Sequence, residues 1–189
     1  MNKKIEKLTD PSIRIWDTPA RLLHWVSAIW VLGLMALGLV MVNQVNASGL
    51  KFELYQWHKS FGLIFGVVLI ARLVWKFLSP RPNFMGADVA QKAAIINQNL
   101  MLLILVVLIA SGYVATCFSI IPIPIRVFGW AVPSLLQPDF LMEQKAISVH
   151  HALAFFLMAL VLVHSGAAFF HHFIFKDKTL MRMLKKQTD

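Results

Sequence analysis

The sequence predicts an all-α integral membrane protein: a bundle of four transmembrane helices with both termini on the cytoplasmic side. Three observations carry this. First, 58% of the 189 residues are hydrophobic and the mean hydropathy is +0.68, more than a soluble domain of this size requires. Second, the apolar residues are gathered into four runs of about twenty or more, each long enough to cross a hydrocarbon core of about 30 Å as a helix. Third, the cationic residues collect on one side of those runs. At this length one domain is expected, spanning residues 1–189.

Taken in order, residues 1–21 are polar and basic and read as a cytoplasmic arm. No cleavage site of small residues follows the first apolar run, so the arm is not expected to be a removable signal. Thr18-Pro19 reads as a helix start, with Thr18 as the capping residue and proline at the first position. The first span covers about residues 22–42, and residues 43–54 are a short polar connection. The second span covers about residues 55–78 and stops at Ser79-Pro80-Arg81-Pro82. A loop over residues 79–94 contains Gly86 and Asp88. The third span covers about residues 95–118. Residues 119–146 form the longest connection, rich in proline and large apolar residues, and are expected in the membrane interface as short turns or a partial helix. The fourth span covers about residues 147–175, and a basic tail follows.

Four spans put both ends of the chain on one side, and the cations choose which. Lys3, Lys4, Lys7, Arg14 and Arg21 precede the first span. Lys76, Arg81 and Lys92 flank the second loop, and Lys176, Lys178, Arg182, Lys185 and Lys186 close the chain. Against these thirteen, the other side holds Lys51, Arg126 and Lys145. Both termini are therefore expected in the cytoplasm. The same placement explains the net charge of +9 through topology and anionic headgroups, and excludes nucleic acid as the partner. The one cysteine, Cys117, allows no internal disulfide, and no Cys-x-x-Cys-His is present to attach a c-type haem.

The fourth span carries the chemistry. It holds five of the seven histidines: His150, His151, His164, His171 and His172. Ionisable side chains inside a membrane are costly and mark functional sites. His150 and His164 are fourteen residues apart, so they share a helix face within roughly 40° and lie about 21 Å apart along the axis. The topology supplies their partners by depth. His58, at the outer start of the second span, matches His150. His24, near the cytoplasmic start of the first span, matches His164. Two opposed imidazoles at one depth are what a six-coordinate haem iron needs, one axial nitrogen on each side of the macrocycle.

Two further regularities fit a flat, anionic ligand. Each of the four histidines is followed four residues later, on the same face, by a small residue: Ala28, Gly62, Ala154 and Ala168. Such residues also favour plain helix packing. Arg72 lies fourteen residues beyond His58, on its face and at the inner depth, and is a candidate partner for the propionates of an inner haem. Lys59 is the corresponding candidate for an outer haem. Snorkelling to the interface is the competing reading of both cations. His151 and His172 point away from the ligand face. His171 shares it about 10 Å nearer the cytoplasm. These three are read as non-axial, with propionates, a quinone headgroup or lipid phosphate as candidate contacts; His171 is the candidate second-shell or quinone contact.

The set His24-Trp25, His58-Lys59-Ser60-Phe61-Gly62, Arg72, His150, His164 and the closing His171-His172-Phe173-Ile174-Phe175-Lys176-Asp177-Lys178-Thr179-Leu180-Met181-Arg182-Met183 resembles the bacterial cytochrome b561 family over about residues 13–183. The resemblance implies a four-helix cytochrome of the inner membrane with two non-covalent b haems that exchange electrons with quinone. Its axial ligands match His24, His58, His150 and His164. The chain departs from many relatives near the start of the third span, where Ile95-Ile96-Asn97-Gln98-Asn99 stands in place of a histidine; this removes a proton or quinone contact, not an axial ligand.

The function read from this is a quinone-linked electron-transfer oxidoreductase. Some members of the family oxidise superoxide and reduce ubiquinone, and Lys59 and Arg126 are the cations that would draw an anion to the outer face. The alternative is a haem-bearing membrane anchor that passes electrons for a separate dehydrogenase or a periplasmic redox protein, docked on the loop over residues 119–146. A transporter using histidines for protons or bare metal would call for acidic ligands or broken helices, and no Asp or Glu falls within a span interior. His171 with nearby cations on the inner side, or the proline-rich loop on the outer side, is the expected quinone contact.

Overall fold

In a computed structural model, which describes residues 16–45, 48–79, 88–121, 123–177 and 179–184, three of the long helices begin at side-chain caps and run past the apolar segments that nucleate them. Helix α1 is Thr18–Val42, α2 Gly49–Leu78, α3 Asp88–Cys117 and α4 Phe140–Phe173. All four hold stretches long and apolar enough to cross a membrane. A short α5, Met181–Leu184, follows the bundle. The cationic positions Lys3, Lys4, Lys7, Arg14, Arg81, Lys178, Lys185 and Lys186, and the Pro80–Pro82 stop, lie outside the described residues.

The helix starts differ from the span starts for one reason. A helix satisfies its own backbone in water as well as in lipid, so polar residues end a span without ending a helix. Thus α2 begins at Gly49, where the Ser48 hydroxyl accepts from the Lys51 N–H at 3.1 Å. Helix α4 begins at Phe140, where the Asp139 carboxylate accepts from the Met142 N–H at 3.0 Å. The cap of α1 is Asp17, which accepts from the Ala20 N–H at 3.0 Å; Thr18 is the first helical residue and not the cap. The long outer connection contains a two-stranded ribbon, β1 (Arg126–Val127) paired antiparallel with β2 (Trp130–Ala131). Its turn residues Phe128 and Gly129 both have positive φ, the geometry of a two-residue hairpin turn.

Helix α1 packs closely along α2 and α3 along α4, while α2 meets α3 more sparsely. The bundle is therefore two antiparallel hairpins with room between them. The outside of the bundle is apolar: Ile29, Val67, Phe77 and Leu162 are each more than 60% exposed, which suits lipid and not water. Where the hairpins touch, Val31, Phe65, Leu69, Leu105, Leu108 and Leu157 belong to one buried cluster. Phe65 and Leu157 are almost fully enclosed. Phe65 is seven residues after His58, and Leu157 is midway between His150 and His164. This layer therefore lies about 10 Å along the helices from each histidine level.

Polar side chains tie the ends of the bundle. At the end nearest the termini, Asp17 accepts from the Trp75 indole N–H at 3.0 Å and from the Ser79 hydroxyl at 2.7 Å, clamping α1 to α2. Burial pushes its carboxyl up, but the bonds from Ser79, Trp75 and the Ala20 N–H, with the charge of Arg21, outweigh this and hold it below the ordinary range. The Trp25 indole donates to the Met183 carbonyl at 3.0 Å, which fastens α5 to α1. On the outer side, the Ser60 hydroxyl donates to the Arg126 carbonyl and holds the ribbon against α2.

Candidate functional site

Each of the two depth-matched pairs meets across the gap between the hairpins. His58 on α2 faces His150 on α4, and His24 on α1 faces His164 on α4. In both pairs the ring centroids are 6.2 Å apart, with interplanar angles of 83° and 63°. A metal–imidazole bond of about 2.0 Å plus roughly 1.1 Å from nitrogen to ring centre, taken twice, gives about 6.2 Å for two imidazoles trans on one metal. Both pairs have the spacing of axial ligands. Among the described residues no group of three or more His, Cys, Asp or Glu side chains gathers that would hold a bare metal ion. The remaining equatorial ligands would have to come from a macrocycle.

The outer pair opens into a cavity of about 1060 Å³, at the top of the range for cofactor pockets. Its walls are mostly apolar, with Lys51, Glu53, Lys59, Glu143 and His151 among the polar residues that line it. Gly62 and Ala154, the small residues that follow the two ligands, line it. A Cβ added at Gly62 would meet nothing within 4 Å, so this face stands open for a flat group. The imidazoles, the open face and the volume together fit a haem.

His150 is the better anchored ligand of the outer pair. Its Nδ1 lies 3.0 Å from the Leu108 carbonyl and 3.1 Å from the Ser111 hydroxyl, which itself donates to that carbonyl at 3.0 Å. A carbonyl only accepts, so Nδ1 carries the proton and Nε2 presents its lone pair. His58 has no such anchor: its Nδ1 is buried without a well-formed hydrogen bond, although the Leu34 carbonyl approaches it. Two glycines that the sequence did not single out press against these rings. A Cβ at Gly112 of α3 would stand 3.2 Å from His150 Cε1 and 3.3 Å from Nδ1, and one at Gly38 of α1 would stand 3.4 Å from His58 Cε1. The signal at Ser111-Gly112 was a small polar pair inside the apolar third span. Gly38 carried none, since its role depends on which helix lies beside α2.

The inner pair is arranged differently. Arg72 Nη2 is 3.2 Å from His24 Nδ1, and because a guanidinium only donates, that nitrogen accepts. Arg72 thus lies at the inner level, as its spacing predicts, with its charge against a ligand imidazole. A ligand bound through Nε2 with a protonated Nδ1 would not accept that bond, so the guanidinium could then turn to a propionate. Lys59 sits at the outer mouth with Glu143 as its opposing charge.

The other histidines stay outside both pairs. The His151 ring centroid is 6.5 Å from that of His150, at the rim of the outer cavity. His171 Nδ1 donates to Asp177 Oδ2 beyond the C-terminal end of α4. Burial pushes the Asp177 carboxyl up, but the bonds from His171 and Thr179 prevail and hold it below the ordinary range. His172 has a buried Nδ1 with no partner among the described residues. At the start of α3, Asn99 accepts from the Lys76 ammonium, so this region braces α2.

The chain is similar to known proteins. The family model described as prokaryotic cytochrome b561 matches residues 15–186. The chain is 35% identical over 168 residues to cytochrome b561 homolog 2 of Escherichia coli (strain K12), covering 87% of this chain and 88% of that protein. It is 24% identical over 167 residues to cytochrome b561 homolog 1 of the same organism, covering 87% and 94%. A probable sugar efflux transporter of Helicobacter pylori (strain G27) is 33% identical over 101 residues, which is 51% of this chain but 26% of the transporter.

Proposed function

The chain belongs to the prokaryotic cytochrome b561 family, and we propose that its two histidine pairs hold two b haems that carry electrons across the membrane to or from the quinone pool. It is a multi-pass protein of the bacterial inner membrane that transfers electrons through haem b. The two-haem count, the four axial ligands, the cytoplasmic termini and the quinone partner are the proposal. The observation that carries it is the equal 6.2 Å facing of the two imidazole pairs, one toward each end of the bundle.

When bound, haem would supply one-electron exchange, held by imidazoles from the two histidine pairs. The protein supplies the rest. His58 and His150 hold the outer group, and the Leu108 carbonyl keeps His150 in the tautomer that presents Nε2. His24 and His164 hold the inner group, with Arg72 as candidate propionate partner. The Phe65–Leu157 layer separates the two levels with packed side chains and excludes water. Lys59 at the cavity mouth is the candidate outer propionate partner and, with Arg126, would draw an anion such as superoxide to the outer face. His171, oriented by Asp177, is the candidate proton-handling contact for quinone on the inner side.

A second reading is an electron-carrying anchor for a dehydrogenase or a periplasmic redox protein. The outer ribbon favours it, because Phe128 and Trp130 at its tip are both more than 80% exposed.

The test is a reduced-minus-oxidised spectrum of the purified protein with a haem-to-chain ratio. Two haems per chain are expected, with His24→Ala and His58→Ala each losing one. A ratio near zero, or both variants retaining both haems, refutes the proposal. Turnover of quinone by the isolated protein with superoxide as donor supports the oxidoreductase reading; no turnover with any donor favours the anchor.

A further inference from the structure

The two histidine pairs sit in unequal electrostatic surroundings. At the inner pair, the Arg72 guanidinium lies within the spanning part of α2 and touches His24 at 3.2 Å. Its charge is felt by both His24 and His164. The next charges outward on α1 are Arg21 and Asp17, which oppose one another at the helix start. Among the described residues no hydrogen bond joins a cation to either ring of the outer pair. The charged groups around that cavity are Lys51, Lys59, Glu53 and Glu143, two of each sign, with Lys59 facing Glu143. The partner of His150 is of the opposite kind to that of His24: a carbonyl oxygen that accepts the Nδ1 proton and makes the imidazole a stronger electron donor.

Both differences act in one direction. Turned to a propionate, Arg72 would cancel at the inner level a carboxylate charge that otherwise favours the oxidised iron, and so would raise the reduction potential there. A carbonyl on the ligand N–H favours the more positive, oxidised iron, and so lowers it. We infer that the inner haem is the higher-potential centre of the pair and that Arg72 is the residue that sets this order. The inference rests on the two-haem reading above. An electron would then pass downhill from the outer level to the inner, one centre oxidised as the other is reduced, with no bond made or broken. The chain is thereby built to collect electrons at its outer face and deliver them at its cytoplasmic face. Arg72 acts here as a positioning and tuning residue, distinct from the ligands.

Equilibrium redox titration of the purified two-haem protein, followed by haem absorbance, tests this. The wild type is expected to titrate in two one-electron steps. Arg72→Gln lowers the upper midpoint and leaves the lower in place, while Arg72→Lys, which keeps the charge, holds the upper step above the lower. His24→Ala removes the upper component and His58→Ala the lower. If Arg72→Gln sheds a haem, the one remaining titrates at the lower wild-type midpoint. The inference is overturned if Arg72→Gln moves the lower midpoint or neither, if it leaves only the upper component, or if His24→Ala retains the upper one. A wild type with fewer than two haems per chain is seen in the stoichiometry before any titration, and overturns the two-haem reading together with the order built on it.

Discussion

Replacing Gly112 by alanine places a methyl group against a ligand imidazole. The new carbon would stand 3.2 Å from His150 Cε1 and 3.3 Å from Nδ1, inside the usual carbon contact of about 3.5–4.0 Å. The ring has to retreat by a few tenths of an ångström. Its anchor is the 3.0 Å bond to the Leu108 carbonyl, and such a shift takes that bond to the edge of hydrogen-bonding range. A bond of this kind contributes about 0.5–1.5 kcal/mol net, so affinity for the outer haem should fall by roughly 2- to 13-fold. The helix responds with the opposite sign, since alanine is favoured over glycine in a helix interior by about 0.8–1.0 kcal/mol. The apoprotein should unfold no earlier than wild type while binding haem more weakly. Gly33→Ala is the control, because its methyl meets nothing within 4 Å and Gly33 does not line the cavity. The assay is haem titration into apoprotein followed by absorbance, with thermal unfolding of the apoprotein alongside. Wild-type affinity in Gly112→Ala, or an equal loss in Gly33→Ala, would refute the argument.

Three other outcomes are expected. Gly62→Leu puts a bulky side chain on the open face of the outer cavity, where an added Cβ meets nothing within 4 Å, so the protein should fold and lose one haem of two; retention of both would show that the cavity is not the site. Leu157→Ala opens a void in the central layer. Lipid removes most of the hydrophobic transfer contribution, which leaves a packing loss of about 2 kcal/mol, whereas lipid-facing Leu162→Ala should cost less than about 0.5 kcal/mol. Equal losses in detergent unfolding would contradict the assigned core. The Asp17 carboxyl, held below its usual value of 3.8, contributes stability that is present above that value and lost as the pH falls through the lower folded value. Asp177 acts in the same direction. Asp17→Asn should lower stability at neutral pH and flatten its decline below about pH 4; an unchanged acid limb would show that the clamp does not depend on charge.

Much of the site was legible because membrane helices are stiff rulers. A rise of 1.5 Å per residue and a fixed turn angle place His150, His164, His58, His24 and Arg72 by depth and face from numbering alone. That is why the pairing of the rings follows from the sequence. The helix starts were less legible. Ser48 and Asp139 cap helices well before the spans begin, and the apolar pattern reports where lipid starts, not where hydrogen bonding starts. The roles of Ser60, Trp25 and Asp17 depend on partners 66, 158 and 62 residues away, and no local pattern encodes those.

The sequence by itself determined the class of the protein, its four spans, the distribution of its cations and the pairing of four of its histidines, since each rests on local composition or helical periodicity. Only the tertiary structure decided what touches the ligands. The Leu108 carbonyl and Gly112 come from α3, which contributes no histidine, and Arg72 donates to a ring on a different helix. These contacts depend on how neighbouring helices are rotated about their axes. Packing sets that rotation across the bundle, and it carries the difference between the inner and outer sites.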